Sequence, residues 1–212
     1  TTKVWLMIAT SLILVGCILA KLFMVKYETT TYEVSKDFSD ISISTDTADI
    51  IFALSDDGTC KVECYEEENA KHSVDVENDV LIVKTNKSWY DYIGYSFGWS
   101  KITIYLPKEE YSELSINEST GTVEIPKDCL FENVNISTST GDVNFCASVS
   151  KLVKIKTSTG NICVENISAG ALDLSVTTGK VTVSGVTCQD DITVSVVTGN
   201  AYLTDSSCRS VI

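Results

Sequence analysis

The sequence predicts an all-β chain: a single-stack β-solenoid, or β-helix, of 19–20-residue coils, with an inserted antiparallel capping sheet and one transmembrane α-helix ahead of it. Three observations carry this. A short pattern recurs in one register as ISISTDTADIIF, LSINESTGTVEI, VNISTSTGDVNF, VKIKTSTGNICV, LDLSVTTGKVTV and ITVSVVTGNAYL. Its glycines Gly121, Gly141, Gly160, Gly179 and Gly199 follow one another at intervals of 20, 19, 19 and 20, with Ala48 in their place in the first copy. Apolar residues alternate on both sides of that position, as Val153 and Ile155 before Gly160 and Ile162 and Val164 after it. A fixed period of about 20 residues marks a solenoid, and alternation marks strands with one buried face.

Along the chain, residues 1–3 read as a cytoplasmic stub and residues 4–25 (VWLMIATSLILVGCILAKLFMV) as a membrane anchor, apolar except for Thr10, Ser11 and Lys21. As a helix this run is about 33 Å long, enough for a hydrocarbon core of about 30 Å. Trp5 and Tyr27 stand where interfacial aromatics belong, and Lys21 can snorkel to the head groups. A removed signal peptide fits less well, because no small-x-small cleavage site precedes the polar segment. Leu14-Val15-Gly16-Cys17 is similar to a bacterial lipobox, in which Cys17 would be acylated, although Ile18, Leu19 and Ala20 prolong the apolar run. Either anchor makes the membrane a partner and puts residues 28–212 on one side of it, expected to be extracytoplasmic.

Residues 26–37 (KYETTTYEVSKD) read as a polar tether with strand character, and the repeat domain as 38–212. From Ala48 to Gly121 the interval is 73 residues, where one period needs about 20. The excess forms an insertion within 55–112, expected to be antiparallel. Asp57-Gly58 signals a hairpin between 50–54 and 61–65, Asn78-Asp79 turns 72–76 back into 80–84, and 101–106 alternates up to Pro107. Such a sheet would cap the stack and block edge-to-edge pairing. Inside it lies Trp89-Tyr-Asp-Tyr-Ile-Gly-Tyr-Ser-Phe-Gly-Trp99. This segment suits either an apolar lid over the coil end or a recognition loop with Trp89, Tyr92, Tyr95 and Trp99 as stacking residues for a glycan or protein ligand.

In the copies, stacked Val, Ile and Leu side chains about 4.8 Å apart would close the core. Thr47, Thr120, Thr140, Thr159, Thr178 and Thr198 precede the corner residue, where hydroxyls in register can bond from coil to coil and Gly supplies a positive φ. An exposed hydroxyl ladder for sugar or ice is the functional reading of the same row; the corner of a solenoid is the structural one. Val211 and Ile212 fall where a further copy would begin and residue 1 is Thr, so the chain reads as a fragment truncated at both ends.

The Ser139-Thr140-Gly141-Asp142 and Ser158-Thr159-Gly160-Asn161 corners, behind an N-terminal apolar helix, resemble the bacterial "putative adhesin" family, a domain of unknown function built from TSTGDI-like repeats. The resemblance covers 38–212. It implies a surface-exposed β-solenoid of the bacterial envelope and no catalytic residues.

The formal net charge is −13, and 1–27 holds three lysines and no acid, so the rest carries −16. That field repels phosphate backbones, which argues against nucleic acid. The acidic run Glu66-Glu67-Glu68 reads as a solvated face. Beyond the anchor stand Cys60, Cys64, Cys129, Cys146, Cys163, Cys188 and Cys208. Cys129, Cys188 and Cys208 share a repeat position with Val149 and Ala169 and read as free, buried ladder residues. Cys60 and Cys64 point the same way along a strand but stand about 13 Å apart, which suits neither a mutual disulfide nor a shared zinc. His72 has no nucleophile or carboxylate motif around it and reads as a surface or satisfied histidine. Walker, Rossmann, HExxH and GxSxG patterns are absent, and Asp49 and Asp142 are not repeated coil after coil as a calcium stack requires. No catalytic residue, cofactor or metal is expected. The sequence points to a non-enzymatic, membrane-anchored adhesin or scaffold; the other function it fits is an envelope-stress sensor signalling through its anchor.

Overall fold

The computed structural model describes residues 26–68, 70–86 and 100–212, and all regular structure among them is strand. Among the described residues no helix is long and apolar enough to cross a membrane. The anchor 4–25 with Cys17, and Trp89, Tyr92, Tyr95 and Trp99, lie outside the described residues.

The repeats stack as expected. β2 (Asp40–Leu54), β7 (Glu110–Thr120) with β8 (Val123–Ile125), β9 (Leu130–Thr140) with β10 (Val143–Phe145), β11 (Ser148–Glu165), β12 (Ser168–Ser184) and β14 (Ile192–Thr204) pair in parallel, each coil on the next. Ile41, Leu114, Val134, Val153, Leu172 and Ile192 stand opposite one another in one column, and Ile43, Ile116, Ile136, Ile155, Leu174 and Val194 in the next. Beyond the corner, Ile50, Val123, Val143, Ile162, Val181 and Ala201 make a third. These residues are almost wholly buried up to the last coil, and each contributes roughly 1.5–3 kcal/mol through its removal from water. A further column, Tyr111, Phe131, Val149, Ala169 and Cys188, the last from β13 (Thr187–Cys188), lines a short connecting side. Cys188 takes the ladder position expected of it. Cys129 does not: Phe131 fills its coil's place in the column, and Cys129 is buried in the turn just before. The described cysteines are free thiols.

The insertion departs from the expected antiparallel sheet. β5 (Val80–Thr85) pairs in parallel with the first half of β2, and β6 (Ser100–Leu106) in parallel with the second half. Together they are an additional coil, with Leu81 and Val83 beside Ile41 and Ile43 and with Ile102 beside Ile50. Stacking order therefore differs from chain order, because this coil lies on the face of β2 opposite β7 and β8. The antiparallel part is confined to β1 (Tyr27–Val34), β3 (Cys60–Glu67) and β4 (His72–Glu77).

The Asp57-Gly58 turn does not close a hairpin, since β6 inserts between β2 and β3. Its loop crosses that strand and is fixed by Asp57, whose Oδ1 accepts hydrogen bonds from Ser55 Oγ, Thr59 N and Thr59 Oγ1. Asn78 and Asp79, at φ 51° and 69°, do make the β4–β5 hairpin. Residues 27–34, within the segment read as a tether, pair along their whole length with β3.

Candidate functional site

The corner before each glycine determines what the site contains. Three residues ahead of the corner residue stand Thr45, Glu118, Thr138, Thr157 and Val176, in register and pointing inward. All are buried, Glu118 at 2% exposure. Thr85 extends this column beyond Thr45, because it follows Lys84, which stands opposite Ser44. On its other side Thr85 faces His72.

This column concentrates the unpartnered buried polar groups of the described residues. Among the described residues, the buried side-chain oxygens without a hydrogen-bond partner are Thr45 Oγ1, Glu66 Oε1, Thr85 Oγ1, both carboxyl oxygens of Glu118, and Thr138 Oγ1. Thr157, next in line, donates to the carbonyl oxygen of Gly141. Burial raises Glu118 from 4.5 to about 8; the nearby Ala48 amide pulls it down and the Asp49 carboxylate pushes it up. At neutral pH Glu118 is therefore largely an uncharged acid among threonines.

Outside the same corner, Thr47, Thr140, Thr159, Thr178 and Thr198 are exposed, with Ser139, Ser158 and Thr177 beside them. The expected coil-to-coil bonds between the stacked threonine hydroxyls do not form. The residue after the glycine does that work. Asp49 Oδ1 accepts from the Thr122 amide at 2.9 Å, Asp142 Oδ1 from the Asn161 amide at 2.7 Å, and Asn161 Oδ1 from the Lys180 amide at 3.1 Å. Asp and Asn recur there because a short acceptor reaches the next coil's orphan N–H. Asp142→Ala is expected to lower stability by about 1–2 kcal/mol, read as a shift of the urea midpoint at unchanged slope.

At the cap end the column meets Cys64 and Glu66 of β3 and His72 of β4. Glu66 was expected on a solvated face; it is 0% exposed, while Glu67 and Glu68 stay at the surface. Alternation explains the difference, for Val62, Cys64 and Glu66 share the inward face of β3. Glu66 Oε2 accepts the His72 backbone N–H at 2.7 Å and lies 2.8 Å from His72 Nδ1. Tyr32 Oη donates to the His72 carbonyl at 2.8 Å. His72 is thus a satisfied, buried histidine. Burial first, and then the Glu66 carboxylate, push the Cys64 thiol up to about 12, so it is not a reactive nucleophile on its own.

The recognition residues named from the sequence, Trp89, Tyr92, Tyr95 and Trp99, lie outside the described residues, but the flanks of their segment are placed. Lys84 stands beside Ser44 and Ser100 beside Ala48. Where β2 turns its corner with residues 45–47, the neighbouring coil carries residues 85–99. Residues 86–99 join β5 to β6 in the chain.

A family profile described as Toastrack DUF4097 matches residues 38–205. No curated protein matches the chain. Among solved structures, a "putative adhesin" from Bacteroides fragilis NCTC 9343 is similar at 20% identity and TM-score 0.52, over 88% of this chain and 96% of that one. A "putative cell adhesion protein" from Clostridium sporogenes ATCC 15579 shares 9% identity at TM-score 0.46, over 84% of this chain and 99% of that one. A "Putative lipid binding protein" from Parabacteroides distasonis ATCC 8503 shares 14% identity at TM-score 0.37, over 88% and 97%.

Proposed function

Because the chain belongs to the Toastrack DUF4097 family, we propose that it is a non-enzymatic surface protein of the bacterial envelope, held to the cytoplasmic membrane by residues 4–25, whose solenoid binds a glycan or protein through the aromatic segment 89–99. The observation that supports this reading is the length and composition of that segment in the sequence. Between β5 and β6, both paired into the stack, the sequence carries fourteen residues, 86–99, rich in Trp and Tyr. A rigid rung on either side is what a recognition loop needs from its scaffold. The Bacteroides fragilis structure supports the fold, and its name gives adhesion as the kind of binding to test first.

The test is binding of the full chain in detergent to a panel of host and microbial glycans and to immobilised host-cell surface protein. Trp89→Ala with Trp99→Ala is expected to weaken binding by at least tenfold, since one stacked aromatic contributes about 0.5–1.5 kcal/mol beyond its area. The melting temperature is expected to stay where it was. A parent chain that binds nothing, with a double variant that only melts earlier, would make the segment a lid and overturn the reading. The location is tested separately, by protease digestion of a C-terminally tagged chain on wall-stripped cells. Protection until lysis would exclude a surface role.

A further inference from the structure

We infer that Cys64, Glu66 and His72 form a binding site for a divalent transition metal of the zinc type, which fastens β3 to β4. One ligand atom from each residue, a thiol sulfur, a carboxylate oxygen and an imidazole nitrogen, lies within 4.8 Å of the other two, and all three residues are buried. Sulfur, nitrogen and oxygen donors around one point are the set that zinc accepts, whereas calcium or magnesium would call for oxygen throughout.

A second observation points into the same place. Glu66 is 0% exposed, yet its Oε1 has no partner, and Thr85, directly opposite His72 in the ladder, buries an unpartnered Oγ1. Hydrogen bonding within the triad accounts for Glu66 Oε2 alone. A metal ion bound by the carboxylate and the imidazole would displace to solvent any proton held between Oε2 and Nδ1. The Cys64 thiol proton would leave to solvent as the sulfur binds. The fourth position would be left to water.

The three ligands come from both sides of the β3–β4 connection, Cys64 and Glu66 before it and His72 after it. Binding therefore cross-links β3 to β4, the two strands that close the stack over β5 and β6. Cys60, the other buried cysteine of β3, lies outside the cluster.

The test is titration of the folded full chain with Co2+ and then Zn2+. One equivalent of Co2+ is expected to give a thiolate-to-cobalt charge-transfer band that Zn2+ abolishes, and zinc-edge X-ray absorption is expected to show one sulfur in a mixed nitrogen and oxygen shell. Cys64→Ser and the near-isosteric Glu66→Gln are each expected to weaken binding by at least about a hundredfold, the upper range for outer-shell changes. Cys60→Ser is expected to leave it unchanged. Chelation is expected to lower the melting temperature of the parent and not of Cys64→Ser. Absence of the charge-transfer band in folded parent protein, or a shell with no sulfur or several, would overturn the site and leave a hydrogen-bonded strut. The absorption measurement uses the parent alone, so it decides even if a variant fails to fold.

Discussion

Glu118→Gln is expected to make the protein markedly more stable at pH 9 while changing it little at pH 4. The sign follows from the raised pKa. Glu118 titrates near its ordinary 4.5 when unfolded and at about 8 in the native fold, so between those values the native state holds a proton that the unfolded chain has released. Stability from this group is complete below pH 4.5, falls as the pH rises through the window, and levels off above about 8. The full span corresponds to roughly 3–5 kcal/mol, the value of some three pKa units. Removing the ionisable group should flatten that part of the pH profile.

The same argument predicts Glu118→Thr, which restores the residue found at Thr45, Thr138 and Thr157 in the same column. It should also flatten the profile. Urea unfolding at pH 4, 6, 7.5 and 9 of parent and both variants separates this group from every other titration, because only differences between them are read. A difference that stays constant across pH would show that Glu118 ionises in the fold as it does in water, and that the polar column admits enough solvent to carry a charge. Below pH 8 the protonated carboxyl has an O–H to offer, a donor that a row of threonine oxygens and carbonyls can accept. An ionised one has none, and it sits 2% exposed beside Asp49.

Repetition made most of the fold legible in the sequence. Any one coil is a weak signal, but Val, Ile and Leu recurring at the same offsets from five glycines could be matched column for column, and the ladders of Ile41 to Ile192 and Ile43 to Val194 follow directly. The coil of β5 and β6 was hidden because residues 86–99 stand between its two strands in the sequence, in place of the Thr-Gly mark that most other copies carry. Its apolar alternation survived and read as antiparallel strands, since period-2 patterning does not carry strand direction. The buried cluster was hidden for a different reason. Glu66 sits in a run of three acids whose charge suggests solvent, and His72 reaches it only across a corner, so neither residue type nor spacing announces the pair. Glu118 leaves a mark in the sequence, since it occupies a position that three other copies fill with Thr45, Thr138 and Thr157.

Gly141→Ala is expected to cost more than about 4 kcal/mol, at the far end of what single substitutions do, because a stack of this pitch leaves no space for a Cβ at that point. A Cβ built on Gly141 would lie 1.7 Å from the carbonyl oxygen and 2.8 Å from the carbonyl carbon of Gly121, both main-chain atoms that no rotamer change can move. Its φ of 148° adds conformational strain. Relief would require the coils to separate at the corner, at the expense of the ladder bonds from Gly121 N to Thr140 O and from Val123 N to Asp142 O. Ala48 shows why the first copy escapes the rule. It is not in the positive-φ region, and its partner on the next coil is Ser100, across the corner that the aromatic segment interrupts. Gly58→Ala supplies the control, with φ 75° and no heavy atom within 4 Å of the added carbon; there only the left-handed backbone is penalised, by about 1–2 kcal/mol. Chemical denaturation of the two variants side by side measures the difference. Equal costs would mean that the glycines serve backbone conformation alone; a cost several times larger at Gly141 would assign their recurrence to the contact between coils.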